Sequence, residues 1–490
     1  MKTTATASSN FIRFGTDGWR AIIGDEFTFA NLKCVAQAYA DYINDCRSAD
    51  ESSKSLSQNS DEFPLIIIGF DGRFLSAEFA RRAAEVLAGN NLKVALFAEP
   101  VPTPLVSWGI REMRAAGGIV ITASHNPPEY NGFKIKSAWG GSASPDVTSA
   151  VESRINLNSS PELGNISEND SAEMTGIIIK SYRAHLSSYI DLEIIRSAKA
   201  KVIIDSMHGC GTRWIESFLR KGTIKAETIR SKRDPLFGGV NPEPIDCNLY
   251  ALKNRVLETG AILGLATDGD ADRLGAVDER GETMTTHQIV SLLLLHLIRN
   301  RKMTGAVAYT FSQSVITKRI AAAHNLPLYE TPIGFKHIAA LMLKENVLVG
   351  AEESGGIGVQ NHMPERDGIL NSLLLLEAVT AAGKTPSKLV HDIQREFGEF
   401  YFERLNLKMG INRGRDFIAN LARNPPLKIA GEKVAGIETL DGVKLLFADE
   451  SWLLLRQSGT EPVLRVYAEA TSVPKMKALL KAGDSMSCEM

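Results

Sequence analysis

The sequence has no strong excess of charge of either sign and no long apolar run. Its 490 residues carry 55 lysines and arginines against 57 aspartates and glutamates, a formal net charge of −2. A balance this even argues against nucleic-acid and membrane-surface partners, which attract strongly basic chains. No stretch reaches the length of a membrane span, and the first ten residues lack the apolar centre of a secretory signal. We therefore expect a soluble protein without nucleic-acid or membrane partners.

Cysteine is also scarce, with five residues in an odd number and no paired short spacing. Such a set argues against a disulfide framework and predicts reduced thiols in a reducing, cytoplasmic compartment. Apolar residues make up 44% and charged residues 23% of the chain, the profile of an ordinary globular protein. The length predicts about three or four domains.

Apolar runs typical of buried strands alternate with helical patterns along most of the chain. In the first part, strands are predicted at 65–71, 94–99 and 118–124, with helices at 77–88 and 104–114 between them. The strands predicted at 201–205 and 262–268 begin a second unit. Those at 306–311, 327–330 and 347–351 belong to a third, with helices at 285–298, 335–344 and 368–378. Alternation of this kind predicts mostly parallel sheets.

The last part, from residue 400 onward, has strand patterns around a helix at 415–423 and ends with a helix at 474–481. The tail 484–490 does not extend that helix convincingly. The predicted fold is therefore α/β, with three similar mixed-sheet domains and a smaller C-terminal α+β domain. The predicted boundaries are 1–165, 166–282, 283–393 and 394–490. Two polar stretches, 48–62 and 156–172, are expected to be a solvent loop and a bridge between the first two domains.

A serine stands where one of these strands stops. In residues 118–127 the run Gly-Ile-Val-Ile-Thr-Ala is followed by Ser124, His125, an asparagine and a proline. The proline prevents the strand from continuing, so the Ser124 hydroxyl is expected at a strand end, where open α/β sheets carry their chemistry.

Three carboxylates follow another buried-strand pattern. Asp268, Asp270 and Asp272 alternate with small residues, and three uncompensated carboxylates at this spacing would repel one another without a cation. An EF-hand is the competing interpretation, since Glu279 falls at the twelfth position. Arg273 at the sixth position, where glycine is required, and a strand in place of the preceding helix argue against it. Magnesium is the predicted ion.

Two further clusters lie near the end of the third unit and in the last part of the chain. Residues 350–356 read Gly-Ala-Glu-Glu-Ser-Gly-Gly, in which a carboxylate pair could accept hydrogen bonds from sugar hydroxyls. Residues 456–462 read Arg-Gln-Ser-Gly-Thr-Glu-Pro, where a guanidinium, two hydroxyls and a glycine could cradle a phosphate dianion.

The four clusters, in this order, resemble the α-D-phosphohexomutases, which include phosphoglucomutase, phosphomannomutase and phosphoglucosamine mutase. A fifth segment, Phe-Gly-Thr-Asp-Gly-Trp-Arg at 14–20, resembles the opening strand of that family. The resemblance extends over nearly the whole chain and implies four domains around a central cleft.

The resemblance also implies a set of site residues. Ser124 is the position of a phosphoserine, which would bind magnesium together with Asp268, Asp270 and Asp272. His125 and Lys134 would lie near the transferred phosphoryl group, and Arg20 and Arg273 would add positive charge there. His125 is the first candidate for moving the sugar hydroxyl proton and Lys134 the second. The implied sugar-binding residues are Glu353, Ser354 and Lys336, and the implied phosphate-binding residues are Arg456, Ser458, Gly459, Thr460 and Arg465.

The implied reaction interconverts hexose 1-phosphate and hexose 6-phosphate through a hexose 1,6-bisphosphate, with glucose 1,6-bisphosphate as activator. Residues 352–356 and 334–336 are most similar to the glucose-phosphate branches, including the bacterial-type phosphoglucomutases. The mannose/glucose and glucosamine branches typically have a histidine where this chain has Gly356. Phosphomannomutase and phosphoglucosamine mutase remain alternatives within the family. A sugar-phosphate phosphatase and a non-catalytic binding protein are alternatives of another class, and the protein is expected to be a monomer or dimer.

Overall fold

The computed structural model describes residues 12–15, 17–53, 63–459 and 461–488. Three mixed sheets of five, five and four strands and one five-stranded antiparallel sheet follow one another along the chain, and each is covered by helices. This arrangement confirms the predicted α/β class, with three similar units and a different C-terminal one. The N-terminal tail and most of the polar stretch 48–62 lie outside the described residues.

The first sheet has the strand order β1-β5-β4-β2-β3. The elements of this unit are β1 (Trp19–Ile22), α1 (Phe29–Ser53), β2 (Leu65–Phe70), α2 (Ser76–Gly89), β3 (Lys93–Leu96), α3 (Thr103–Glu112), β4 (Gly117–Ile121), β5 (Tyr130–Ser137) and α4 (Pro145–Glu152). β2 is parallel to both β3 and β4, whereas β5 is antiparallel to β4. The central strands read as unbroken apolar runs because helices cover both faces of the sheet.

The second and third units repeat this topology. The second contains α5 (Glu168–Tyr189), α6 (Leu192–Ser197), β6 (Lys201–Asp205), α7 (Trp214–Leu219), β7 (Lys225–Ile229), α8 (Tyr250–Thr259), β8 (Leu263–Thr267), β9 (Leu274–Asp278) and β10 (Thr283–Met284). The third contains α9 (Thr286–Leu295), β11 (Ala306–Thr310), α10 (Val315–Ala323), β12 (Leu328–Thr331), α11 (Phe335–Met342), β13 (Val347–Ala351), β14 (Ile357–Val359), α12 (Gly368–Ala382) and α13 (Pro386–Phe397). In the second unit, β6 is parallel to its neighbours β7 and β8, and β9 is antiparallel to β8. In the third unit, β11 is parallel to β12 and β13, and β14 is antiparallel to β13.

The repeat has a direct consequence for the sequence motifs. The connections β4–β5, β8–β9 and β13–β14 are the same hairpin in three successive sheets, and they consist of residues 122–129, 268–273 and 352–356. The serine, aspartate and glutamate motifs therefore occupy equivalent positions in three copies of one architecture.

The fourth unit is built differently, around an antiparallel sheet of order β15-β21-β20-β19-β18. Its elements are β15 (Tyr401–Lys408), α14 (Ile411–Arg423), β16 (Lys428–Ile429), β17 (Glu432–Lys433), β18 (Gly436–Glu438), β19 (Val443–Leu446), β20 (Trp452–Gln457), β21 (Val463–Ala470) and α15 (Val473–Cys488). The fourth motif is the connection from β20 to β21.

Both polar stretches contain helix that the sequence analysis did not predict. Helix α1 continues to Ser53, so the first residues of the stretch 48–62 are helical and no solvent loop begins at 48. Helix α5 begins at Glu168, inside the stretch expected to bridge two domains, and Ser167 caps it by accepting a hydrogen bond from the Asp170 main chain at 3.2 Å. Buried residues of α5 join the same apolar core as α3, which explains why a polar sequence is helical here.

The C-terminal helix is longer than predicted. It runs to Cys488, where the sequence analysis ended it near 481. Gly483 permits this, because a β-carbon there would lie 2.5 Å from a methyl of Val466 on β21. The helix therefore stays packed on the sheet beyond its predicted end. No helix in the described ranges is long and apolar enough to cross a membrane.

Candidate active site

The three equivalent hairpins meet one another. Ser124 Oγ in the first donates a hydrogen bond to Asp268 Oδ2 in the second at 2.9 Å. The second joins the third through main-chain hydrogen bonding, in which Leu274 N donates to the Gly355 carbonyl at 3.1 Å. Residues separated by more than two hundred positions thus form one continuous site.

Ser124 is held in an unusual conformation. Its side chain is buried and its φ is +54°, in the left-handed region that non-glycine residues seldom occupy. Arg73 fixes this conformation by donating hydrogen bonds to the carbonyls of Ser124 at 2.7 Å and Asn126 at 2.6 Å. Asp71 pairs with the guanidinium at 3.0 Å, and both side chains are fully buried. Strain at a reactive group requires surroundings that impose it, and Arg73 supplies them.

His125 lies beside the serine and is neutral at physiological pH. Its Nδ1 is 3.4 Å from Ser124 Oγ. Burial lowers the pKa of His125 well below its usual value, and the positive charges of Arg273, Arg20, Lys134 and Arg465 lower it further. A neutral imidazole has a free lone pair that can accept a proton, but the lowered pKa makes His125 a weaker base than an ordinary histidine.

The three aspartates form a buried, oxygen-lined cluster. The side chains of Asp268, Asp270 and Asp272 are inaccessible to solvent, and one carboxylate oxygen of each lies within 4.8 Å of the others. Asp270 Oδ1 and Asp272 Oδ1 are buried without any hydrogen-bond donor among the described residues. Unpartnered buried carboxylate oxygens are costly unless a cation binds them. Three oxygen donors of this kind fit a hard divalent cation such as Mg²⁺.

The pKa values of Asp268 and Asp270 are shifted in opposite directions. Burial and the neighbouring charges of Asp270 and Asp272 raise the pKa of Asp268 well above its usual value. Burial also acts to raise the pKa of Asp270, but the ammonium of Lys134, 2.7 Å from its Oδ2, lowers it overall.

Lys134 is enclosed by carboxylates. Its Nζ lies 2.9 Å from Asp17 Oδ2, 2.7 Å from Asp270 Oδ2 and 3.4 Å from Asp272 Oδ2. Burial alone would lower the pKa of Lys134, but these negative charges outweigh it and raise the pKa above its ordinary value. The side chain therefore stays charged, which makes it a poor candidate for accepting a proton.

Asp17 and Arg366 are site residues that the sequence analysis missed. Arg366 Nη2 lies 2.8 Å from Asp17 and 2.9 Å from Asp272, and its Nη1 lies 3.7 Å from Glu352. The pair thus connects the N-terminal segment to the second and third hairpins. The sequence feature that could have indicated Arg366 is the charged Glu-Arg-Asp triplet directly before the apolar helix α12.

The two arginines predicted near the phosphoryl group contact the serine hairpin and the aspartate cluster respectively. Arg20, on β1, donates from Nη1 to Asn126 Oδ1 at 2.6 Å, next to the serine. Arg273 Nε lies 4.0 Å from Asp268 and 3.9 Å from Asp272, and this nitrogen makes no hydrogen bond to any described residue. Both guanidiniums contribute positive charge close to Ser124.

The two glutamates of the third hairpin have different environments. Glu352 is buried and faces Arg366, and its pKa is raised by burial. Glu353 Oε1 accepts a hydrogen bond from Arg404 Nη1 at 3.1 Å and so connects the hairpin to β15 of the fourth unit. Ser354 is half-buried next to it. Lys336 is half-buried in the first turn of α11 and forms no ion pair within the described part of the chain.

The fourth motif places two arginines opposite each other. Arg456 on β20 is the direct cross-strand partner of Arg465 on β21. Like charges at such a position are destabilising unless an anion lies between them. Asp441, 2.9 Å from Arg456 Nε, and Glu461, 2.9 Å from Arg465 Nη2, compensate them in part.

The remaining residues of the fourth motif lie in the turn between these strands. Ser458 is buried and Gly459 is exposed with open space around it, while Thr460 lies outside the described residues. The positive charge of Arg465, on β21 beyond this turn, contributes to lowering the pKa of His125.

Comparison with known proteins gives one family in four matches between residues 12 and 482. The domain models described as phosphoglucomutase/phosphomannomutase, alpha/beta/alpha domains I, II and III, match residues 12–162, 180–281 and 285–397. The C-terminal domain model of the same family matches residues 418–482.

Individual relatives agree with this match. A crystal structure from Thermus thermophilus, provisionally named a phosphomannomutase, is 36% identical with a TM-score of 0.83 and covers 97% of this chain and 98% of its own. A phosphoglucomutase/phosphomannomutase of Thermococcus kodakarensis is 29% identical over 96% of this chain and 97% of its own. A phosphoglucomutase of Staphylococcus haemolyticus is 29% identical over 93% of this chain and 90% of its own.

Proposed function

The chain belongs to the phosphoglucomutase/phosphomannomutase family and is a phosphohexomutase, and from that premise we propose that it interconverts glucose 1-phosphate and glucose 6-phosphate. The observation that carries the catalytic proposal is the contact between Ser124 Oγ and Asp268 Oδ2, beside a neutral His125. Ser124 is the residue that carries the phosphoryl group between turnovers.

In the first half-reaction, phosphoserine-124 transfers its phosphoryl group to the free hydroxyl of the bound sugar phosphate. The P–O bond to Ser124 breaks, a P–O bond to the sugar oxygen forms, and the hydroxyl proton passes to His125. The product is glucose 1,6-bisphosphate. Arg20, Arg273 and Lys134 remain cationic throughout and offset the negative charge that spreads over the transferring group.

Asp268, Asp270 and Asp272 would hold Mg²⁺ together with an oxygen of the phosphoserine. The ion would supply Lewis-acid stabilisation of charge on the phosphoryl oxygens. The two unpartnered oxygens on Asp270 and Asp272 support this assignment, because no described protein group satisfies them.

In the second half-reaction, the bisphosphate has reversed its orientation, and Ser124 takes back the phosphoryl group from the other end. Arg456 and Arg465, with Ser458, Gly459 and Thr460, bind whichever phosphate is not reacting. Glu353, Ser354 and Lys336 bind sugar hydroxyls in both orientations. The opposed arginine pair supports the phosphate assignment, because an anion removes the repulsion between them.

The proposed preference for glucose rests on Gly356 and on the Arg366 side chain that packs against it. Related branches typically have a histidine there, but a β-carbon at Gly356 would lie 2.4 Å from Cδ of Arg366. A histidine could not be added without displacing the Arg366 side chain. This protein therefore differs from the mannose/glucose and glucosamine branches where the third hairpin approaches the sugar.

A coupled assay tests the proposal. Conversion of glucose 1-phosphate is measured with magnesium and trace glucose 1,6-bisphosphate, beside the mannose and glucosamine 1-phosphates. We expect preference for glucose and loss of activity with EDTA. Activity confined to mannose or glucosamine phosphate would overturn the substrate but keep the mechanism. Release of inorganic phosphate as fast as isomerisation would indicate a phosphatase instead.

A further inference from the structure

Thr103 is a buried threonine of the first unit that contacts the aspartate hairpin of the second. It is the first residue of α3, and its side chain is inaccessible to solvent. Its hydroxyl donates a hydrogen bond to Asp270 Oδ2 at 2.7 Å, and its main-chain N–H donates to the Asp270 carbonyl at 2.9 Å. Thr103 therefore binds both the main chain and the side chain of Asp270.

Hydrogen bonds occupy only one oxygen of the Asp270 carboxylate. Oδ2 accepts from the Thr103 hydroxyl and from Lys134 Nζ, both at 2.7 Å, whereas Oδ1 is buried without a donor among the described residues. Asp272 shows the same division within the described ranges, since Lys134 and Arg366 contact its Oδ2 and its Oδ1 has no donor. The bound oxygen of each carboxylate thus sets the orientation in which the other oxygen is left for a cation.

Thr103 restricts the Asp270 carboxylate more strictly than Lys134 does. The Lys134 ammonium carries three donors on a flexible stem and is shared among three carboxylates, those of Asp17, Asp270 and Asp272. The Thr103 hydroxyl has a single donor proton, and the main-chain hydrogen bond to the Asp270 carbonyl fixes its position. Rotation of the carboxylate would break this hydrogen bond, whereas a shared ammonium could follow it.

We propose that Thr103 is a positioning residue for the metal: its hydroxyl holds the Asp270 carboxylate so that Oδ1 is left as a ligand for Mg²⁺. The inference rests on the phosphohexomutase function and the magnesium site proposed above. Thr103 acts through Asp270, as the outer partner of a metal ligand. Loss of such a partner typically weakens metal binding about 10- to 100-fold.

The Thr103→Val variant removes the hydroxyl and nearly keeps the shape of the side chain. The main-chain hydrogen bond to the Asp270 carbonyl does not depend on the side chain, so the contact between the two units should persist. Binding of Mn²⁺ without substrate is measured by electron paramagnetic resonance, on preparations matched in phosphorylation by intact mass. We expect the dissociation constant to rise about tenfold or more in Thr103→Val and to stay within about threefold of the unaltered protein in Thr103→Ser, which keeps the hydroxyl.

Thr175→Val is the matched control. The Thr175 hydroxyl is also buried, but it donates to the Ser171 carbonyl within its own helix at 2.7 Å, so Mn²⁺ binding should not change. In the coupled assay, Thr103→Val should need more MgCl₂ for half-maximal activity, and turnover should recover when MgCl₂ is saturating. A decrease in turnover that persists at saturating MgCl₂ would indicate a general structural defect and would overturn the proposal.

The metal titrations separate failure of this inference from failure of the magnesium site itself. Equal Mn²⁺ affinity in Thr103→Val and the unaltered protein would overturn the role of Thr103 and leave the magnesium site intact. Affinity reduced equally in Thr103→Ser and Thr103→Val would also overturn it, because the hydroxyl would then not be the cause. Absence of Mn²⁺ binding in the unaltered protein would overturn the magnesium site and the role of Thr103 together.

Discussion

The aspartate hairpin and the turn between β20 and β21 are both charged, yet they are built in opposite ways. In the hairpin at 268–273, three buried carboxylates are fixed by Lys134, Arg366 and main-chain donors. In the turn at 458–462, Gly459 is exposed with open space around it, and the nearby arginines are only partly compensated. The first is rigidly preorganised by contacts from other units, and the second keeps room for a ligand.

This difference matches the two tasks of a mutase. Phosphoryl transfer needs charges held in fixed geometry, because their reorganisation would add to the barrier. In the proposed mechanism, the turn accepts the non-reacting phosphate of two sugar isomers in different orientations. Substitutions in the buried centre should therefore reduce turnover and often stability, whereas substitutions in the turn should reduce binding alone.

The largest effect is expected for Ser124→Ala, which removes the hydroxyl that we propose carries the phosphoryl group. We expect turnover in the coupled assay to fall by about 10⁴-fold or more, while calorimetry shows that glucose 6-phosphate still binds. Ser153→Ala, at the exposed C-terminal end of α4, is the matched control. Retention of activity within tenfold would remove Ser124 from the mechanism.

The second largest decrease in turnover is expected for Asp270→Asn, because it removes one negative charge from the predicted magnesium ligands. A loss of several kcal/mol of transition-state stabilisation corresponds to about a 10³-fold decrease in turnover. Titration with MgCl₂ should also show a higher concentration for half-maximal activity. Asp146→Asn, an exposed carboxylate in the first turn of α4, should change neither value. An unaltered magnesium requirement in Asp270→Asn would contradict the metal assignment.

Arg73→Ala tests whether the serine hairpin needs the hydrogen bonds that the buried Arg73 guanidinium donates to its carbonyls. The variant leaves Asp71 buried without its partner, so the free energy of unfolding in urea should fall by about 3 kcal/mol. Turnover should fall by about 10²-fold with little change in KM, because Arg73 positions Ser124 without touching substrate. A KM effect alone, with stability unchanged, would argue against this role.

Arg456→Ala tests whether the turn between β20 and β21 contributes to substrate binding more than to stability. Losing a charge-assisted contact to phosphate should raise KM by about 10- to 100-fold. The free energy of unfolding should change by less than in Arg73→Ala, because loss of the ion pair with Asp441 is offset by relief of the repulsion from Arg465. Arg423→Ala, exposed at the end of α14, serves as the control. A large loss of stability would show that the turn is as structurally constrained as the aspartate hairpin.

The smallest effect concerns pH. His125 must be neutral to accept a proton, and its pKa lies well below the ordinary histidine value of 6.5. As pH falls, activity should therefore persist through 6.5 and decline only when the pH reaches the lowered pKa. The profile of kcat/KM against pH measures this acid limb. A decline centred at or above pH 6.5 that remained in a His125→Gln variant would exclude His125 as the base.

The sequence was sufficient to predict the architecture because the buried strands are unbroken apolar runs ending in polar motifs. The position of those motifs at strand ends was equally predictable, since each stands where an apolar run stops. That three of them are the same hairpin in three sheets was not predicted, because the second strand of each hairpin (β5, β9 and β14) was not recognised in the sequence. Helix α5 was missed for a related reason, as its polar sequence is stabilised by packing on α3.

Supporting residues of the site were harder to predict than its reactive ones. Arg73, Asp17 and Arg366 lie in short charged segments that resemble ordinary turns, and their role is visible only in the bonds they make across units. The environment of Lys134 was also inaccessible from sequence. Three carboxylates from two segments surround it, and they make it a fixed charge and not a proton acceptor.

The central claim is that Ser124 carries the phosphoryl group, and mass spectrometry tests it most directly. The protein is incubated with magnesium and glucose 1,6-bisphosphate, and its intact mass and peptides are measured beside those of Ser124→Ala. The account predicts the mass of one added phosphoryl group, located on Ser124 and lost again when glucose 1-phosphate is supplied. An unmodified Ser124 in an active enzyme, or a phosphoryl group on another residue that turns over with substrate, would contradict it.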